Sequence, residues 1–375
     1  MSSSPVSSPV PAQPYGRPPL RALHVLGANA GAGAAGSGAH VRSLATGLAA
    51  RGVRVTVCAP VASEGEYDFT GAGALFEPDA PCALRAACAG ADVVHAHGVR
   101  AGMRAALALR GRRVPLVVSW HGDGPAAGGA PGRLGRLLER HVARAAAVVL
   151  GASSNQVDLA RLRGARDARL APVAVPAGPE GPEPPEPGKV RAELGAVGRP
   201  LLVAVGSLVP HRGYSVLLDA ARAWRALEPV PLLVIAGEGP LRAELSRRIE
   251  AEGLPVRLLG RRRDAVQLLA AADLAVLPSR WEARAPLAQE ALRVGVPLVA
   301  TAVGGLPELV GEGAVLVPYG NPEALAGAVS GLLGDADRRA ALAVAGRAQA
   351  ATWPSEDDTV AQVLSVYDEL MERGR

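Results

Sequence analysis

Lysine, aromatic side chains and long apolar runs are what this chain is short of. Lys189 is its only lysine, so arginine carries nearly all of the positive charge. With alanine, glycine and proline so abundant, this is the usage a GC-rich bacterial genome imposes. Aromatics are 3% of the residues against 49% hydrophobic overall, so alanine, valine and leucine must fill the cores. No apolar run approaches the roughly 20 residues that cross a bilayer. Cysteine is scarce and odd in number. Cys58, Cys82 and Cys88 show neither CxxC nor a His/Cys ligand spacing, which points to reduced, mostly buried thiols and a cytoplasmic address. The net charge of +5 is scattered. That argues against nucleic acid as a partner and is compatible with weak peripheral contact at the inner face of a membrane. Ser2 to Pro19 is Ser/Pro-rich without a cationic start or apolar core, so residues 1–19 read as a disordered tail, not a signal peptide.

A length of 375 residues accommodates two domains, each with a full core. From Leu20, short apolar runs alternate with amphipathic helical segments, the pattern of a parallel α/β sheet. The runs are Leu23–Leu26, Val53–Ala59, Asp92–Ala96, Leu116–Trp120, Ala146–Leu150 and Leu170–Val175, with helices such as Val41–Arg51 and Arg133–Ala145 between them. A proline-dense segment from Gly178 to Gly188 cannot enter a sheet or helix interior and marks a boundary. The alternation then resumes with runs at Leu201–Val205, Leu232–Ala236, Val256–Leu259, Leu274–Leu277, Leu298–Ala300 and Ala314–Val317. The expected layout is a first domain over 20–177, a linker over 178–198, a second domain over 199–352 and a final helical segment over 353–375. In that last segment a helix from about Glu356 to Arg373 is placed to cross back to the first domain.

Two glutamates, Glu282 and Glu290, lie eight residues apart, one in a loop after the Leu274–Leu277 run and one in the helix that follows. Carboxylates accept hydroxyl hydrogen bonds, and a helix N-terminus with unpaired N–H groups holds phosphate. A nucleotide sugar has both features; a capped helix with two solvated glutamates fits the spacing equally well. After the first strand, Gly27 to His40 is glycine-rich and contains Gly31-x-Gly33-x-x-Gly36. The second strand ends Val57-Cys58-Ala59-Pro60, without the acidic residue that binds ribose in dinucleotide sites, and no Gly-Lys-Ser/Thr occurs. The loop is therefore read as phosphate-facing and not as an NAD site or P-loop, with a merely flexible surface loop as the plain alternative. His121, His97 and His40 fall at strand ends or in this loop, where they face the expected cleft.

Ordered along the chain, the segments resemble the retaining GT-B glycosyltransferases of family 4. Val205-Gly206-Ser207-Leu208-Val209-Pro210-His211-Arg212-Gly213 is similar to the family's G-R-L-x-x-x-K-G loop. Val234-Ile235-Ala236-Gly237-Glu238-Gly239-Pro240 is similar to its V-x-G-x-G-P turn, and Ala272-Asp273-Leu274 through Pro278-Ser279 to its A-D-x-x-x-x-P-S strand. Glu282 and Glu290 match its E-x7-E motif, followed by the segment from Thr301 to Val310. In the first domain, Asp92-Val-Val-His95-Ala-His97 and Val117-Val-Ser-Trp-His121-Gly122 match two further segments.

The resemblance implies an α/β fold of two doubly wound Rossmann-like domains facing across a cleft. It also implies transfer of a sugar from a UDP- or GDP-linked donor to a hydroxyl of an unknown glycan, lipid or small-molecule acceptor. By position, Glu290 would bind the ribose hydroxyls, Glu282 the donor sugar and Arg212 the diphosphate. Gly206, Ser207, Gly237 and the stretch through Ala285, Pro286 and Leu287 would lie against phosphates and sugar. Gly36 and Gly38 would close from the other domain, and His121 would line the sugar side. No metal and no cofactor is implied, and no enzymic nucleophile.

Three departures stand out. Ser207 replaces the usual diphosphate-binding arginine, Arg212 replaces lysine, and Glu282-Ala283-Arg284-Ala285-Pro286 replaces E-G-F-G-L. Arg284 is a candidate for the missing cation. Pro286 is tolerable as a first helical residue. Two rival readings remain at this stage: a non-hydrolysing UDP-sugar epimerase, and a catalytically silent nucleotide-sugar-binding protein. The loops Ser63–Pro78 and Asp123–Gly132, read as irregular, hold the acceptor specificity.

Overall fold

The structure, a computed structural model, describes residues 18–27, 35–120, 132–174, 186–262, 264–282 and 285–374. The first half runs β1 (Arg21–Leu26), α1 (Ala35–Ala50), β2 (Arg54–Ala59), α2 (Val61–Tyr67), β3 (Leu75–Pro78), α3 (Pro81–Gly90) and β4 (Val93–His97). It continues through α4 (Val99–Ala108), β5 (Leu116–Trp120), α5 (Arg133–Ala145), β6 (Val148–Gly151), α6 (Ser154–Leu162) and β7 (Ala168–Leu170). The second half opens with α7 (Pro187–Glu193), β8 (Leu201–Val205), α8 (Tyr214–Trp224), β9 (Leu232–Ala236), α9 (Arg242–Glu252), β10 (Val256–Gly260) and α10 (Ala265–Ala270). Then come β11 (Leu274–Leu277), α11 (Pro286–Val294), β12 (Leu298–Thr301), α12 (Leu306–Val310), β13 (Ala314–Val317), α13 (Pro322–Leu333), α14 (Ala336–Ala350) and α15 (Glu356–Arg373).

The strands form two all-parallel sheets, ordered β3-β2-β1-β4-β5-β6-β7 and β10-β9-β8-β11-β12-β13. Helices cover both faces, which is why central strands such as β5 and β9 are fully buried, β9 being apolar throughout. In each sheet the strand order reverses once, between β1 and β4 and between β8 and β11. Ligands of doubly wound sheets bind beyond the strand ends at such a reversal. The glycine-rich segment follows β1, the Gly206–Gly213 loop follows β8, and Glu282 follows β11.

Helix α15 packs on the first sheet's core: Val360, Val363, Val366, Tyr367 and Leu370 join the cluster of Val41, Leu44, Leu48 and Val57. Val360 sits against Gly47 of α1, where a Cβ would meet it at 2.5 Å. Arg51 pairs with Asp357 at 2.7 Å and Arg169 with Glu369 at 2.6 Å. A reciprocal cap between Ser355 and Asp358 starts the helix. No helix among the described residues is long and apolar enough to cross a membrane.

The structure corrects several boundaries. Helix α1 begins at Ala35, not Val41, so Gly36 and Gly38 lie in its opening turns instead of in a loop. The Ser63–Pro78 stretch is ordered by α2 and the short edge strand β3. Strand β7 ends at Leu170, before Pro172, which cannot donate to a ladder. The tail through Arg17, the glycine-rich residues 28–34, the proline-dense 175–185, and His121, Asp123, Ala283 and Arg284 lie outside the described residues.

Candidate active site

At the second reversal point three loops interlock through close backbone approaches. A Cβ on Gly237 would fall 1.9 Å from Gly206 O, and one on Gly213 (φ +71°) would fall 1.9 Å from Pro278 O. The turn after β9 therefore rests on the loop after β8, which rests in turn on the end of β11. Leu208 N donates to Glu238 O at 2.9 Å and Arg280 N to His211 O at 2.8 Å. The buried Tyr214 hydroxyl donates to Gly206 O at 3.0 Å, and burial raises its pKa well above the usual value, keeping it a neutral donor.

On this frame sit the charged groups. Glu282 is only 5% exposed. Its Oε1 accepts from Ser279 Oγ at 2.7 Å and from Arg212 Nη1 in an ion pair. Two groups assigned separate tasks from sequence are thus bonded to each other. Two further atoms here, Ser207 Oγ and Arg212 Nε, are buried with no hydrogen-bond partner. An unmet buried donor costs about 1–3 kcal/mol, and an anionic oxygen would satisfy both.

Helix α11 carries Glu290. Pro286 is its first residue, where the missing N–H costs nothing, and Ala285 is its N-cap with φ +41° and ψ +69°. That left-handed conformation is one glycine adopts freely and alanine does not, so the glycine-to-alanine departure carries strain. Leu287 is buried in the second core, and Glu290 is half-buried. Burial raises the Glu290 carboxyl above its ordinary pKa, with Arg293 opposing.

Among the described residues, the first domain supplies mostly packing and buried polar groups. Gly38 is buried beneath Tyr67, whose ring would lie 2.3 Å from a Cβ there, so packing alone requires that glycine. His40 on α1 sets its ring edge-on to His97 at 5.8 Å. His24, His95 and His97 are buried, with ring nitrogens within 4.8 Å of one another. These nitrogens are turned toward protein. His95 Nδ1 meets the Tyr367 hydroxyl and Nε2 meets Ser119 Oγ, both at 2.7 Å. His24 Nδ1 faces His97 Nε2 at 3.0 Å, within hydrogen-bond distance. Burial drives the His24 pKa down to about 4, so its ring is neutral at pH 7.

Sequence reasoning missed Ser279, Thr301 and Tyr214 as supports of the site. The available signal was a polar residue directly after each buried strand or loop glycine.

Two family models match the chain: Glycosyl transferases group 1 over residues 189–349 and Glycosyl transferase 4-like domain over residues 35–176. The D-inositol 3-phosphate glycosyltransferase of Jonesia denitrificans is 31% identical over 305 residues, covering 74% of this chain and 71% of that protein. The chain belongs to the GT-B glycosyltransferases of family 4. A second relative of this glycosyltransferase is the GDP-mannose-dependent alpha-(1-6)-phosphatidylinositol dimannoside mannosyltransferase of Mycobacterium tuberculosis. It is 33% identical over 168 residues, 44% of each chain. The crystal structure of Anabaena HepE in complex with UDP superposes with a TM-score of 0.80 at 20% identity, over 93% of this glycosyltransferase and 100% of that chain, a likeness of fold.

Proposed function

We propose that this glycosyltransferase passes a sugar from a UDP- or GDP-linked donor to a hydroxyl of a glycan, lipid or small-molecule acceptor, with retention of anomeric configuration. The observation that carries the donor assignment is the pair of unpartnered buried atoms, Ser207 Oγ and Arg212 Nε, beside the buried Glu282 carboxylate. Diphosphate oxygens accept from both. Arg212 then serves two groups at once, its Nη1 on Glu282 and its Nε on the diphosphate. Glu282 keeps Oε2 for the hydroxyls of the donor sugar. The half-buried Glu290 takes the ribose hydroxyls.

As the bond from the anomeric carbon to the diphosphate oxygen breaks, negative charge grows on the leaving oxygen. Donors already in place lower that barrier without reorganising. The first free amides of α11 add to them, beginning at Leu287 because Pro286 has none. The acceptor oxygen bonds to the anomeric carbon from the same face, and its proton passes to the departing phosphate, so no enzymic nucleophile is required. His121 on the sugar side, Gly36 closing from the first domain, and Arg284 as a second cation complete the reading on resemblance, while Gly38 is taken up by packing beneath Tyr67. As the resemblance implies, the reading includes no metal, the charge of the diphosphate being met by Arg212 and the helix N-terminus. The reading also places the enzyme in the cytoplasm, in contact with the membrane's inner face where the acceptor is a lipid.

A thermal-shift panel of nucleotide sugars identifies the donor by stabilisation. Isothermal titration of UDP and GDP into Glu290→Ala then tests the site: an affinity loss of at least about tenfold, roughly 1.4 kcal/mol, is expected. Wild-type affinity in that variant overturns the assignment, an inverted product anomer by NMR overturns retention, and activity abolished by EDTA overturns metal independence.

A further inference from the structure

Helix α6 of the first domain begins at Ser154, and its N-cap residue Ser153 makes no capping bond; Ser153 Oγ is buried without a partner. The cap comes from the other domain. Ser154 N donates to Glu308 Oε2 of α12 at 3.0 Å, placing a carboxylate at the positive end of α6. Beside it, Asn155 Nδ2 donates to Gly304 O. The segment so gripped is the one that holds Glu282. Gly304 (φ +54°) lies so close that a Cβ there would stand 2.1 Å from Glu282 O, and Gly305 N donates to that same oxygen at 2.9 Å. At the other end, Thr301 Oγ1 donates to Ser279 O, and Ser279 Oγ donates to the Glu282 carboxylate. Residues 301–305 therefore hold both ends of the 279–282 segment. Helix α12 has its own anchor, since Leu309 O accepts from Gln349 Nε2 and Trp353 Nε1, each at 3.1 Å.

We propose that Asn155 and Glu308 are positioning residues for the donor site. Docking of the first domain on α12 fixes the 301–305 segment, and through it the Glu282 carboxylate. The contacts from the first domain tighten a placement of Glu282 that Arg212, Ser279 and Gly305 N already define, which ties its mobility to closure of the cleft. The functional consequence rests on the reading that Glu282 meets the donor sugar; the mechanical coupling does not.

The test is hydrogen exchange by mass spectrometry on the full chain without ligand, comparing Asn155→Ala, Glu308→Ala and Glu308→Gln. Both residues are exposed, so truncation leaves the cores intact. Asn155→Ala, a change in the first domain, is expected to speed exchange in second-domain peptides covering 279–282 and 301–306 by about threefold or more. Peptides from β9 and α8 stay at wild-type rates. Glu308→Ala does the same, and Glu308→Gln, which keeps an acceptor for Ser154 N, restores slow exchange. Wild-type exchange at 279–282 in both alanine variants overturns the proposal, as does uniform loosening of the whole second domain. Separately, full turnover by Glu282→Ala would remove the donor-sugar reading while leaving the coupling result intact.

Discussion

The two reversal points of this molecule bury polar side chains in opposite ways. At the first, between β1 and β4, His24, His95, Ser119 and Tyr367 satisfy one another, and α15 reaches across the chain to contribute the tyrosine. At the second, between β8 and β11, Ser207 Oγ and Arg212 Nε are buried unsatisfied around a carboxylate. Buried polar groups cost stability unless paired. A closed network is thus structural, and an open one is held ready for something else. On the proposed reading, equally polar burial serves architecture in one sheet and donor binding in the other.

Removing a cation from the open network should produce the largest effect. Arg212→Ala takes away a charged donor proposed for the diphosphate and leaves Glu282 buried without its ion pair. A loss of kcat of about 10²–10³-fold is expected with the donor found by thermal shift, the scale seen when one prebuilt donor to developing charge is removed. A kcat within threefold of wild type would put the second reversal point in the same structural class as the first.

The closed network is broken by acid instead. His24 titrates at about 4 in the folded protein against about 6.5 in a free chain. Above pH 6.5 both states hold it neutral and it contributes no pH dependence. As pH falls from 6.5 to 4 the unfolded chain takes up a proton that the folded chain refuses, so stability drops, by on the order of 3 kcal/mol in all, and levels off below 4 for this group. Urea unfolding between pH 7 and 4 measures the slope, which His24→Gln should flatten. An unchanged slope in that variant would show that the proton enters elsewhere. Tyr367→Phe probes the same network at constant pH. It removes the hydroxyl that His95 Nδ1 meets and should cost about 1–2 kcal/mol of stability without altering nucleotide affinity.

The two regions also differ in how much of them the sequence discloses. Strand positions were legible in both, because parallel strands covered on both faces are continuous apolar runs such as Leu232–Ala236. The second reversal point was legible as motifs, since the residues matched lie in short segments after β8, β9 and β11, while its supports Ser279, Thr301 and Tyr214 were not. The histidine network was not. Its members come from β1, β4, β5 and α15, and Tyr367 stands 272 residues from His95, a pairing no local pattern encodes. Helices α2, α7, α12 and α14 were not placed: the first three have only seven, seven and five residues, and α14 is alanine-rich, with little periodic contrast. The bond between Arg212 and Glu282 was missed for the opposite reason: each matched its own motif and was given its own ligand.

The smallest expected effect lies where the open site departs from its family. Ala285 holds φ +41° at the N-cap of α11, a region costing an L-residue about 1–2 kcal/mol. Glycine there removes the strain but loses more backbone entropy on folding, by about 0.4–1 kcal/mol. Ala285→Gly should therefore stabilise the protein by no more than about 1 kcal/mol, read as a small rise in the urea midpoint. Because Ala285 is buried in the second core, the lost methyl reduces the gain further. A clear destabilisation would mean that methyl packing outweighs strain, and that alanine at 285 supports the helix presenting Glu290. A rise with unchanged nucleotide affinity would mean the strain is carried at the open site without serving binding, in contrast to the unsatisfied donors of Ser207 and Arg212 beside it.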